Sequence, residues 1–263
     1  MRYEIGCDLD YDIAEPSTLI FNVAAAPGEH QVVASENIQC NAGIEIEEYT
    51  TQVNKNRYIR INTGPCAMHL SYRASIDLSP GVPDQSRIFE VRPAEIPFDI
   101  LPYVYSSRYC QSDRLLQMAS IEFGGMMPGY GRVLAICDYI NRNVTYRSGS
   151  SDSMTSACDT IIEREGVCRD FAHLGIALCR ALNIPARFVT GYAYGLNPAD
   201  FHAWFEAYLS NSWYAFDATR LVSQSDLIRV GVGRDAADVS FATIFGQVQM
   251  SNMQVYTNPV NFI

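Results

Sequence analysis

No apolar run in the chain approaches the roughly 18 residues that a membrane span needs. The first ten residues, Met1 to Asp10, carry acids where a secretion signal would have its apolar core. A cytoplasmic protein with neither leader nor anchor is therefore expected. Basic residues are scarce, with 19 Lys and Arg against 29 Asp and Glu and a net charge of −10. That balance argues against nucleic acid or a membrane surface as a partner. The eight cysteines, at positions 7, 40, 66, 110, 137, 158, 168 and 179, stand singly with no C-x-x-C pair. This removes the usual zinc-ligand spacing and fits free thiols in a reducing compartment better than a disulfide framework. No Asp-rich loop of the calcium-binding type is present either. No metal and no cofactor are expected.

What the chain does have is apolar material, 48% of 263 residues, enough for two domains of ordinary size. The first 92 or so residues read as β structure. Short alternating or β-branched runs recur at Ser17–Ala24, Gln31–Ala34, Ile44–Gln52, Tyr58–Asn62 and Ala67–Leu78. Turn signals such as Asn41-Ala42-Gly43, Asn54-Lys55-Asn56 and Ser79-Pro80-Gly81 separate them. Strands at this spacing predict a sandwich or barrel. Its His30 and His69 belong to no catalytic constellation, and His69 is expected to pack or to satisfy a hydrogen bond. Three prolines between Arg92 and Pro102 mark an extended connector. The division drawn here is 1–95 for the β-sandwich-like domain and 96–263 for the catalytic domain.

The second part alternates helical and strand patterns, so the fold class is α+β. Helices are expected from Ser112 to Gly124, from Gly131 to Val144, from Ala157 to Glu165 and from about Cys168 to Asn183, before Pro185. Strands are expected at 187–194, 201–209 and 213–217. Cys168 falls at the start of a helix. There the dipole and the free N–H groups of the first turn favour a thiolate over a thiol. A single cysteine is more often a small buried hydrophobe, and Cys179, eleven residues further on, is read that way. The strand from 201 to 209 puts Phe201, Ala203, Phe205, Ala207 and Leu209 on one face and His202, Trp204, Glu206 and Tyr208 on the other. A two-residue turn at Ser210-Asn211 would set Leu209 opposite Ser212 and Asp217 opposite Trp204. Asp217 then becomes a diagonal neighbour of His202, within about 7–8 Å at the backbone.

Cys168, His202 and Asp217 thus occur in the order nucleophile, base and orienter. The thiol attacks an acyl carbonyl, the imidazole moves the proton, and the carboxylate holds the ring. Backbone N–H groups at the helix start, that of Cys168 among them, are placed to bind an oxyanion. Taken singly, His202 is more often a satisfied strand histidine and Asp217 an end-of-strand turn residue. His173, five residues past Cys168, is turned well around the helix axis and is read as structural. Asp170 is read as a partner of the helix dipole. Arg169 and Arg187 are read as salt-bridge or surface residues, and Trp204 as packing. Tyr192 fits either packing or a cleft wall.

The segments Gly166-Val167-Cys168-Arg169-Asp170-Phe171-Ala172-His173, Ile184-Pro185-Ala186-Arg187-Phe188-Val189-Thr190-Gly191-Tyr192, His202-Ala203-Trp204 and Phe216-Asp217-Ala218-Thr219 resemble the core of the transglutaminase-like superfamily. More narrowly, they are similar to its bacterial cysteine proteases that carry an N-terminal β domain. Leu101-Pro102-Tyr103 and Ser107-Arg108-Tyr109-Cys110 resemble the joint between that family's domains. Gly233 to Val239 resembles its loop after the last catalytic strand. Ala218 stands where many members have proline. The resemblance implies a papain-like core of helices on an antiparallel sheet, with Cys168 as nucleophile, His202 as general base and acid, and Asp217 as orienter. The implied activity is thiol-dependent hydrolysis of peptide or isopeptide amide bonds in a peptide or protein substrate, through a thioester. The alternatives are acyl transfer to an amine or deamidation of glutamine and, ranked below both, a binding module that kept the fold.

Overall fold

A computed structural model describes residues 1–41, 43–79, 81 and 84–260. The N-terminal part forms β1 (Arg2–Ile13), β2 (Ser17–Phe21), β3 (Gln31–Cys40), β4 (Ile46–Thr50), β5 (Arg57–Thr63) and β6 (Cys66–Leu78). Along β1, Tyr3, Ile5, Cys7, Leu9, Tyr11 and Ile13 are buried, while the acids at 4, 8, 10 and 12 point the other way, the period-2 pattern of a half-buried strand. The same alternation runs through β6 from Met68 to Leu78. These faces meet Leu19, Phe21, Ile59 and Ile61 from β2 and β5 in one apolar core. The expected turns at Asn41-Ala42-Gly43 and Ser79-Pro80-Gly81 include Ala42 and Pro80, which lie outside the described residues.

The helices are α1 (Ser112–Phe123), α2 (Tyr130–Asn143), α3 (Ala157–Glu163) and α4 (Cys168–Ala181), with a two-residue parallel ladder of β7 (Thr145–Tyr146) on β8 (Glu165–Gly166). Then follow β9 (Ala186–Ala193), β10 (His202–Leu209), β11 (Ser212–Phe216) and β12 (Leu227–Gly233), an antiparallel sheet of order β11-β10-β9-β12. This is the expected α+β arrangement of helices on an antiparallel sheet beside a β sandwich. No helix among the described residues is long and apolar enough to cross a membrane.

The chain then does something the spacing did not announce. β13 (Ala242–Phe245) pairs with β2, and β14 (Val248–Pro259) pairs with β1 along nearly its whole length. The sandwich sheets are therefore β14-β1-β6-β3 and β13-β2-β5-β4. A division into 1–95 and 96–263 does not describe this pairing, since residues 242–259 belong to the sandwich. The physical reason is backbone satisfaction. β6 serves one edge of β1, and the N–H and C=O groups on its other edge need a second strand.

Two buried side-chain amides fasten the sandwich to the other sheet. Gln31 accepts from the Arg229 N–H at 2.8 Å and donates to the Arg229 carbonyl at 2.8 Å. Asn56 accepts from the Val232 N–H at 2.9 Å and donates to the Val232 carbonyl at 2.8 Å. Each amide serves the free edge of β12 as another strand would. The chain just before the proline-bearing connector is tied down. Glu90 pairs with Arg132 of α2, the Phe89 N–H donates to the Ser210 hydroxyl at 2.9 Å, and the Phe89 carbonyl accepts from the Ser210 N–H at 2.9 Å beside the β10–β11 turn.

Helix α4 is the centre of the second core. From Asp170 to Ala181 every residue is buried, because α1, α2 and α3 cover the sides not facing β9 and β10. It packs tightly on the sheet at Gly175, where a Cβ would stand 2.4 Å from the buried ring of Phe205. Gly175→Ala is therefore expected to lower stability by about 1–3 kcal/mol through overpacking, read from urea unfolding. Parent-like stability would show that helix and strand are not in this contact.

Candidate active site

Cys168 is the first residue of α4, as the sequence pattern predicts. Its preceding turn is shaped by Gly166 and Asp170. The buried Asp170 carboxylate accepts from the Val167 N–H at 2.8 Å, an N-terminal capping contact that also suits the helix dipole. A Cβ on Gly166 would lie 2.7 Å from the Asp170 Cβ, so this acid needs glycine at that place. Arg169 reaches back to the Asp152 carbonyl at 2.5 Å and to Ser151 Oγ at 3.2 Å, strapping the 147–156 loop to the helix start.

His202 opens β10, and the β10–β11 register is the expected one. Leu209 faces Ser212 and Phe205 faces Phe216, with Ser210 and Asn211 both at positive φ in the tight turn. That register delivers Asp217, just past β11, to His202. Nε2–H of His202 donates to Asp217 Oδ2 at 2.8 Å, with both side chains buried. The other carboxylate oxygen is also occupied. Asp217 Oδ1 accepts from the Thr219 N–H at 2.9 Å and the Thr219 hydroxyl at 2.7 Å. Asn141 of α2 in turn donates to the carbonyls of Ala218 and Thr219 at 3.1 and 3.0 Å. Asp217 is thus both the turn residue and the hydrogen-bond partner of His202.

With Nε2 committed to Asp217, the buried Nδ1 has no closed hydrogen bond. Burial pulls the His202 pKa down. The hydrogen bond to Asp217 and the neighbouring Cys168, together with their charges, outweigh it and hold the ring up at about 10. Trp204 lies buried along the ring's flank, its centroid 6.2 Å away.

Tyr146 completes the site and was not singled out from the sequence. The β7–β8 ladder pairs it with Gly166, two residues before Cys168. Its hydroxyl lies near enough to Cys168 to feel that residue's charge. Burial and the Cys168 charge push its pKa up, so it keeps its proton. A two-residue ladder leaves no periodic trace, so pattern reading passed over it. Thr219 and Asn141 likewise sit in a turn and on a helix face without any motif of their own.

The other residues weighed in the sequence take structural places. His173 is fully buried and stacked on Tyr109 at 5.0 Å. Its Nε2 accepts from the Ala236 N–H at 3.1 Å, and burial followed by the charges of Arg169 and Arg180 hold its pKa far down. It is a neutral ring that joins the 107–110 segment to the 233–239 loop. Tyr192 packs into the sandwich core and donates to the Val23 carbonyl at 2.8 Å. Arg187 pairs with Glu206 at 2.6 Å over the ring of Trp213. Cys179 is core, and all eight cysteines are free. His69 is half exposed and bonded to Asp10 at 2.6 Å. Among the described residues no three His, Cys, Asp or Glu side chains are grouped to hold a metal ion.

Helices packed on an antiparallel sheet, with Cys168 at a helix start and His202 bonded to a buried carboxylate on the sheet, have the layout of a papain-like core. The profile of the transglutaminase-like superfamily matches residues 118–218, and that of the bacterial transglutaminase N-terminal domain matches residues 1–96. A crystal structure of a candidate cysteine protease from Cytophaga hutchinsonii is 47% identical, covers 100% of this chain and 92% of its own, and superposes with a TM-score of 0.95. An uncharacterized protein of Mycobacterium leprae is 33% identical over 117 residues, 41% of this chain and 42% of the relative. One of Mycobacterium tuberculosis is 37% identical over 118 residues, 38% of this chain and 37% of the relative. The chain thus aligns with less than half the length of either mycobacterial protein. The chain belongs to the transglutaminase-like superfamily.

The proton on His202 links the site to stability. Its raised pKa means that the stabilisation is complete below the ordinary histidine value of about 6.5 and is lost as pH rises through about 10. Asp217→Asn is therefore expected to destabilise more at pH 6 than above pH 10, and to drop the His202 pKa in an NMR titration. An unshifted titration would contradict the pairing.

Proposed function

We propose that the protein is a thiol-dependent hydrolase of peptide or isopeptide amide bonds, working through a thioester on Cys168. The observation that carries this reading is the buried His202–Asp217 hydrogen bond, which leaves Nδ1 as the ring nitrogen for the thiol at the start of α4. In the resting pair, Nδ1 holds the proton taken from Sγ, and Asp217 stabilises the resulting imidazolium. The thiolate adds to the amide carbonyl, forming the C–S bond. The oxygen that becomes negative is received by the Cys168 N–H and the Tyr146 hydroxyl. Collapse breaks the C–N bond while His202 gives its proton to the departing amine. His202 then deprotonates a water that cleaves the thioester, freeing the acid and the thiol.

Resolution by an amine in place of water would make the same site an acyl transferase, and deamidation of glutamine is the water reaction on a side-chain amide. The description of the Cytophaga relative favours hydrolysis. The substrate in this reading is a peptide or protein, and neither nucleic acid nor membrane is a partner of so acidic a chain. Eight free thiols suit the reducing cytoplasm.

Iodoacetamide at mildly acidic pH, read by mass spectrometry, tests the nucleophile. Cys168 should label well ahead of the other seven cysteines, and His202→Ala should remove the advantage. Equal labelling of all eight would sink the hydrolase reading and bring the binding module forward. A second variant tests the oxyanion contact. Tyr146→Phe should lower kcat by about 10²–10³, the usual cost of losing one oxyanion donor, with KM little changed. An unchanged kcat would remove Tyr146 from the chemistry.

A further inference from the structure

Helix α2 carries none of Cys168, His202 and Asp217, yet it meets two of the elements that hold them. Its buried face, Val133, Ile136, Cys137 and Ile140, lies in the same core as α4, and the two helices pack together. Its other contacts hold the turn that follows β11. Asn141 Nδ2 donates to the carbonyls of Ala218 and Thr219 at 3.1 and 3.0 Å. Asp138, three residues earlier and so on the same side of the helix, pairs with Arg220. Arg220 has a φ of 55°, in the left-handed region that residues other than glycine rarely adopt. Such a conformation persists where its surroundings hold it. One helix therefore gauges the distance between the element that begins with Cys168 and the turn that bears Asp217.

Thr219 carries that hold to the carboxylate. An aspartate that accepts from the N–H two residues on makes an ordinary turn, and that bond is present at 2.9 Å. The buried hydroxyl adds what a turn does not need. Thr219 Oγ1 accepts from the Leu221 N–H at 3.2 Å. An N–H can only donate, so the one hydroxyl proton is left for Asp217 Oδ1, at 2.7 Å. Two donors on Oδ1 stop the carboxylate from spinning about its Cβ–Cγ bond. Oδ2 is then left facing His202 Nε2 at 2.8 Å.

We propose that Thr219 and Asn141 are positioning residues, which aim the Asp217 carboxylate at Nε2 of His202 and so present Nδ1 to the thiol of Cys168. Both act through Asp217 alone. The inference rests on the hydrolase reading of Cys168 and His202.

Two readouts test it. One is the rate at which iodoacetamide labels Cys168 at mildly acidic pH. The other is the NMR signal of the His202 Nε2–H, assigned by its absence from His202→Ala. Urea unfolding is followed beside them. Thr219→Val keeps the shape of the side chain and removes the hydroxyl. It should lower the labelling rate by about tenfold, less than the roughly 10²-fold that a misplaced group can cost, and bring the Nε2–H into rapid exchange with water. Thr219→Ser keeps the hydroxyl and should restore both. Asn141→Ala leaves Thr219, Asp217 and His202 in the chain and should still lower the rate in the same direction. It also keeps the test alive if Thr219→Val does not fold. Parent rates and an unchanged Nε2–H signal in both Thr219→Val and Asn141→Ala overturn the inference. So does a serine variant as slow as the valine one, which would make Thr219 structural alone. If Cys168 of the parent labels no faster than the other seven thiols, the hydrolase reading falls, and the Nε2–H signal still decides whether Thr219 and Asn141 aim the carboxylate.

Discussion

The tight contact of Gly175 of α4 on the ring of Phe205, where no Cβ fits, constrains how the helix that begins at Cys168 sits on the sheet. Phe205 is three residues past His202 on β10, and Gly175 is one complete heptad past Cys168 on α4. Any larger residue at 175 would lift the helix from the strand. With glycine there, two rigid elements meet at a fixed distance, and the first residue of one is delivered to the first residue of the other. Interiors packed at crystal density transmit such constraints with little slack. A thiol carried at the start of a helix buried from Asp170 onward is accordingly placed with more precision than one on a loop.

Around that contact, buried polar groups are satisfied in ways that fix position. The Asp217 carboxylate has three donors and so cannot rotate away from His202. Arg180, buried on α4, gives its protons to the carbonyls of Tyr105, Ala186 and Arg234 and to the Ser107 hydroxyl, binding the connector and the 233–239 loop to one helix. Gln31 and Asn56 do the same for the sandwich at β12. Each such group is costly to leave unpaired in a low-dielectric interior, so together they discourage alternative domain placements.

Much of this was legible in the residues. Gly166 followed by Cys168 and a run of apolar spacing is enough to start a helix at the thiol. The Ser210-Asn211 turn is enough to predict the β10–β11 register that joins Asp217 to His202. What escaped was carried by long-range pairing or by very short elements. β1 falls within the stretch that reads as β structure, and its alternation of acids with apolar residues gives its buried face but not its partners. β13 and β14 follow the last motif segment, and their partners are strands more than two hundred residues earlier. No local pattern states such a partnership. Tyr146, Thr219 and Asn141 gain their roles only when a two-residue ladder, a turn and a helix face are brought together in space.

The central claim is that Cys168 forms an acyl-enzyme. The most direct measurement is p-nitrophenyl acetate in stopped flow, followed by peptide mass mapping of the quenched protein. A burst of nitrophenol stoichiometric with protein, and an acetyl group found on Cys168 alone, is the predicted result. No burst, or acetyl spread over several thiols with Cys168 not preferred, would contradict the account.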